Sequence, residues 1–155
     1  MFLRLQLANR RSGFFFEVIL VPEIHSNPVS LDFLRGLVQG LKGRYTFVIE
    51  KVENYRPRDP AQRAYMRAQS SLMLELVLAG HRVIYVKPER VEPTAMGVIT
   101  FDSHECRGVV VVAGAFHIIN ILKGITELVE KSLRAKIKEE VVKIIRFNQY
   151  CQGLP

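Results

Sequence analysis

Cysteine is scarce in this 155-residue chain, which has only Cys106 and Cys151. Their separation matches no C-x-x-C or Cys/His cluster, so a structural zinc site and a disulfide framework are both excluded. A single bridge stays open, as in thermophile-like intracellular proteins. Cys106 heads an apolar run and reads as a packed thiol. Long apolar runs are missing as well, since no stretch reaches the roughly 18 residues that a membrane span needs. The start, MFLRLQLANRR, alternates in polarity and carries Arg4, which is not the pattern of a secretory signal. These absences predict a soluble, cytoplasmic protein with no membrane span. There is no G-x-G-x-x-G turn, no P-loop and no G-x-S-x-G elbow. The formal charge is +7, yet no basic block is longer than Arg10-Arg11. A solvated basic surface satisfies that charge, and attraction to nucleic acid or an acidic partner is permitted by it.

With 48% hydrophobic and 24% charged residues, the chain is globular and long enough for one domain with a real core. The clearest stretch is CRGVVVVAGAFHIINIL, residues 106 to 122. Its valine run reads as a strand buried on both faces, Gly114 as a turn and Ile118 onward as a helix. Before it, residues 2 to 7 alternate and residues 14 to 21 are nearly all apolar, with an Asn/Ser/Gly loop between them, which predicts a β-hairpin. Ser30 reads as a helix N-cap and Gly43 as the stop of that helix. YTFVIEKV, residues 45 to 52, is the next strand, and a helix follows from Pro60 to Gly80. RVIYV, residues 82 to 86, is a buried strand, residues 87 to 93 a proline-bounded loop, and residues 96 to 101 a short strand or extended arm.

Helical periodicity runs from Ile118 to Ile145, more than 25 residues, so a long or broken C-terminal helix is expected. Strands alternating with helices give an α/β domain over residues 1 to 150 with a short tail at 151 to 155. Its sheet is mixed but mostly parallel, with helices on both faces and the hairpin at the amino terminus.

Three strand ends carry polar groups: Glu23 and His25, then Glu50, then His117. Parallel neighbours lie about 4.8 Å apart, and open α/β sheets bind ligands at the carboxyl ends of their strands. Two imidazoles and a carboxylate form a common divalent-metal set that activates water for hydrolysis. His25 and His117 are therefore the candidate metal ligands, and Glu50 and Glu23 the candidate catalytic groups.

The chain resembles the TraB/GumN/TIKI superfamily, to which the haem-uptake ChaN proteins and the erythromycin esterases are related. The residues that carry the resemblance are VILVPEIHSNP (18 to 28), FVIEKVENYR (47 to 56), RAYM (63 to 66) and VVVVAGAFHIINIL (109 to 122). The order of the motifs and the preceding hairpin agree, over roughly residues 1 to 130. The first motif has Pro22 where the family has glycine; the second, G-A-F-H, is complete. The resemblance implies a metal-dependent hydrolytic site of His25, His117 and Glu50, with Arg56 or Arg63 binding an anion, which adds Arg56 to the candidate catalytic groups.

A different function class stays open beside it, a non-enzymatic basic module for nucleic acid or protein. Arg56, Arg58, Arg63 and Arg67 surround one helix start. Lys131, Arg134, Lys136, Lys138, Lys143 and Arg146 would form a stripe on the last helix, diluted by Glu127, Glu130, Glu139 and Glu140. That amphipathic helix also suits a homodimer.

Overall fold

The computed structural model describes residues 2 to 8, 15 to 23 and 29 to 128. Strands β1 (Leu3–Ala8) and β2 (Phe15–Pro22) pair antiparallel, with Leu5 opposite Val18. Helix α1 (Val29–Gln39) leads to β3 (Tyr45–Glu50), and α2 (Pro60–Leu78) leads to β4 (Arg82–Val86). A single 3-10 turn, Pro88–Arg90, runs into α3 (Val91–Phe101). Then come β5 (Gly108–Ala113) and α4 (Ala115–Leu128). The sheet order is β1-β2-β5-β3-β4, and every pair except β1-β2 is parallel. The mixed, mostly parallel α/β domain with an N-terminal hairpin is the fold expected from the sequence.

β5 takes the centre because its side chains are apolar on both faces, and all six of its residues are buried. Its odd and even valines feed separate cores. Val109 and Val111 pack with Val18, Leu20, Ile118 and Leu122 in the core beneath α3 and α4. Val110 and Val112 pack with Ile19, Phe47, Leu34 and Leu72 beneath α1 and α2. Helices therefore cover both faces. The connections that leave β2 and β3 pass to the α1/α2 face, while the one leaving β5 passes to the α4 face. Opposite departures from neighbouring strands open a crevice at their carboxyl ends.

Local chemistry explains the boundaries. Asp59 caps α2, its carboxylate accepting from the Ala61 and Gln62 N–H groups, and Pro60 fills the first helical position. Gly80 closes the helix at φ +89°. Several expectations change. Residues 96 to 101 are helical, not extended, because the proline at 93 falls in the first turn of α3, where its missing N–H costs nothing. α1 starts at Val29, so Ser30 lies inside its first turn, and Gly43 lies beyond its end in the turn into β3. β3 stops at Glu50, which makes that carboxylate its last residue. β4 is an edge strand and only half-buried. Cys106 sits in the turn before β5, half-buried, where its thiol accepts from the Thr46 hydroxyl at 3.5 Å. The expected C-terminal helix beyond Leu128, its basic stripe, its dimer role and Cys151 lie outside the described residues.

Candidate functional site at the carboxyl end of β5

Three strand ends meet in the crevice. The Glu23 N–H, just past β2, donates to the Ala113 carbonyl at 2.9 Å and so joins β2 to the end of β5. From β3, the Glu50 Oε2 atom accepts from the Gly114 N–H at 2.8 Å. Both carboxylates are buried, Glu23 at 3% and Glu50 at 4% exposure. Gly114 serves this contact through its amide rather than through conformational freedom. Its φ is not positive, and a Cβ there would stand 3.7 Å from Glu50 Oε2, an ordinary contact.

The Gly114 carbonyl accepts from the N–H groups of His117 and Ile118, which starts α4 and places His117 in its first turn. The imidazole then lies between two carboxylates. Its Nε2 faces Glu50 Oε1 at 3.4 Å, and its Nδ1 faces Glu92 Oε1 at 2.7 Å. Asn120, one turn along α4, donates its amide to the same Glu92 oxygen at 3.2 Å. The Glu92 carboxylate stands in the first turn of α3, where the helix dipole favours it. The side chains of His117 and Glu92 remain 22% and 26% exposed, so the ring edge is reachable from solvent.

Behind the carboxylates runs a buried polar chain from α2. The Tyr65 hydroxyl donates to Glu23 Oε2. Gln69, one turn later, donates to the Glu50 carbonyl at 3.4 Å and accepts from the Tyr85 hydroxyl at 3.0 Å. Burial pushes the Tyr65 phenol far above the usual tyrosine value, and the Glu23 charge and hydrogen bond add to it. Burial first, then the same carboxylate, raises Tyr85. Both phenols therefore stay protonated and available as donors.

Of the residues singled out from the sequence, Glu50 and His117 face each other at 3.4 Å, while Glu23, at the adjacent end of β2, has its carboxylate held by Tyr65. Arg56 does not join them. It is exposed in the loop before α2, where its backbone N–H donates to Gln62 Oε1 at 2.6 Å. Arg63 is exposed on the first turns of α2. His25 lies outside the described residues. Five contributors had been given no role: Glu92, Asn120, Tyr65, Gln69 and Tyr85. An acidic residue two places after Arg90, at a helix start, is the signal that points to Glu92, and it depends on reading α3 as a helix. The i, i+4 pair Tyr65 and Gln69 on the buried face of α2 is the signal for the second set.

Among the described residues, no group of three His, Cys, Asp or Glu is arranged to hold a metal ion. No described helix is long and apolar enough to cross a membrane. No family model, curated protein or solved structure matches the chain.

Proposed function

We propose that this chain is a divalent-metal-dependent, hydrolase-like protein whose site is the crevice at the carboxyl end of β5. The observation that carries the reading is the two-sided hold on His117, with Nδ1 on Glu92 at 2.7 Å and Nε2 facing Glu50 at 3.4 Å. A metal-bound imidazole gives its other N–H to a carboxylate, the place Glu92 fills. Two donors on one tetrahedral ion, each about 2.0–2.1 Å from it, stand about 3.3 Å apart. The His117 Nε2 to Glu50 Oε1 spacing fits that edge. The described residues supply only this pair, and the proposal gives a third position to His25, two residues after Glu23 in the sequence. Bound there, a divalent ion would supply activation of water.

The chain's own residues do the positioning. An Nδ1–H donated to Glu92 fixes the tautomer that leaves Nε2 with a lone pair. The Gly114 amide holds Oε2 of Glu50, which turns Oε1 toward the imidazole. Tyr65 holds Glu23 by its hydroxyl, and that carboxylate is the candidate general base.

The deciding experiment is elemental analysis of the full chain after incubation with zinc or manganese and gel filtration. Wild type should retain about one ion per chain, and His117→Ala and Glu50→Gln should lose it. Equal content in folded wild type and variants would sink the reading. A second reading, a non-enzymatic basic module, draws on the exposure of Arg56, Arg58, Arg63 and Arg67 around the start of α2. Retention on heparin that falls with salt and disappears on replacing those arginines would favour it.

A further inference from the structure

The opposite end of the sheet holds a second cleft of about 750 Å³, at the starts of β2, β3 and β5. Four cationic side chains line it, Arg4, Lys42, Arg44 and Arg107, against the two carboxylates of Glu17 and Glu105. The local pairing is uneven. Arg4 donates from Nε and Nη2 to Glu17 Oε2, both at 2.8 Å, and the Tyr45 hydroxyl donates to Glu17 Oε1 at 2.9 Å. The buried Glu17 carboxylate is thereby used up at both oxygens. Glu105 stands 3.8 Å from His104. Lys42, Arg44 and Arg107 are exposed and have no ion-pair partner among the described residues.

Arg107 is held in place rather than free to sweep. Its backbone N–H donates to the Arg44 carbonyl at 2.8 Å, and its Nη1 donates to the Lys42 carbonyl at 3.0 Å. Its stem crosses Gly43, where a Cβ would come within 2.5 Å of the Arg107 Cδ and where φ is +96°. The positive φ is what calls for glycine there, since the Arg107 stem could shift. The guanidinium makes no ion pair among the described residues, and Arg44, just before β3, lines the same cleft. Two guanidiniums and a lysine lining one cleft suit a phosphate, whose oxygens accept bidentate pairs. In the same cleft Phe15 is 67% exposed. An exposed aromatic residue in the same cleft as a cationic group is what a nucleobase and its phosphate need. The volume falls in the range of small-molecule sites, about 300–1,000 Å³.

We propose that this cleft binds a nucleoside phosphate, with the phosphate on Arg44, Arg107 and Lys42 and the base against Phe15. Recognition comes from side chains, in keeping with the absence of any glycine-rich phosphate loop.

The test is calorimetric titration of the full chain with ADP, inorganic phosphate and adenosine at low salt. ADP should bind more tightly than either fragment. Arg44→Ala and Arg107→Ala should each weaken ADP about tenfold or more, the loss of one charge-assisted pair. Phe15→Ala should weaken ADP while leaving inorganic phosphate unchanged. Arg107→Lys retains the charge and the stem over Gly43, and it should still lose affinity because the fork is gone. His117→Ala should bind ADP as wild type does, which separates this cleft from the crevice at β5. If Arg107→Ala does not fold, Arg44→Ala and Lys42→Ala, both at exposed positions, decide. No ADP binding at millimolar concentration would overturn the proposal, as would equal ADP affinity in the folded variants. Tighter binding of a single-stranded RNA oligomer through the same residues would overturn it too, in favour of a nucleic-acid surface.

Discussion

His117 Nδ1 lies 2.7 Å from Glu92 Oε1, which ties the first turn of α4 to the first turn of α3 across 25 residues of sequence. The contact fixes the ring plane and turns Nε2 toward Glu50. If the crevice holds a metal ion, replacing Glu92 by Gln should weaken zinc binding about tenfold to hundredfold, although Glu92 touches no metal. Calorimetry on the folded variant checks this. Unchanged affinity would leave Glu92 as a helix-to-helix tie only.

Tyr65 is fully buried, and its hydroxyl donates to Glu23. Tyr65→Phe removes that donor from a buried carboxylate and should cost about 1–3 kcal/mol in urea unfolding. The phenol also sets an alkaline limit. Its native pKa is raised above the unfolded value of 10.0, so above about pH 10 the unfolded chain releases a proton that the native chain keeps. Stability is complete below that pH and falls above it. The fall should be shallower in Tyr65→Phe.

His81 gives a sign of the opposite kind on the acid side. Its Nδ1 accepts the Tyr45 N–H at 3.1 Å, and its ring lies 5.1 Å from that of Phe47. Burial lowers its pKa below the ordinary 6.5. The unfolded chain therefore takes up a proton first as pH falls, and stability present above 6.5 is lost below it. His81→Gln, which keeps an acceptor without that titration, should flatten the melting temperature between about pH 6.5 and 5.

Two glycines in one segment should respond differently. At Gly108 an added Cβ would run into the Glu17 carbonyl well inside 3.0 Å, a backbone atom that cannot step aside. Gly108→Ala should cost about 1–3 kcal/mol or more by forcing β2 and β5 apart. At Gly114 the same methyl meets only ordinary contacts. Gly114→Ala should melt within a few degrees of wild type and keep the Glu50 hydrogen bond, since that bond uses the amide. Similar losses in both would contradict this assignment.

The valine run made β5, Gly114 and His117 readable, because a strand apolar on both faces leaves no periodic ambiguity. The carboxyl-end positions of Glu23 and Glu50 followed from the same reasoning. Their placement on neighbouring strand ends rested on an assumed order, since the pairing of β5 with both β2 and β3 is a tertiary choice that no local pattern encodes. Glu92 was hidden by VEPTAMGVITF, where a proline, a glycine and β-branched residues argue against a helix that packing on the sheet nevertheless makes. Arg56 was read from its closeness in sequence to Glu50, and the loop into α2 leaves it exposed with its backbone N–H on Gln62.

The position of β5 has a consequence for how the chain assembles. It is the last described strand in sequence and the middle one in space. Until residues 108 to 113 exist, β2 and β3 present apolar edges to each other with nothing to fill the gap. The pairing of Val18 and Thr46 with Val109 spans much of the molecule, so high contact order slows folding and places the cooperative step late. A fragment ending before Gly108 should remain unfolded or aggregate. The native sheet, and with it both clefts at its ends, should arise in one step once the valine strand is supplied.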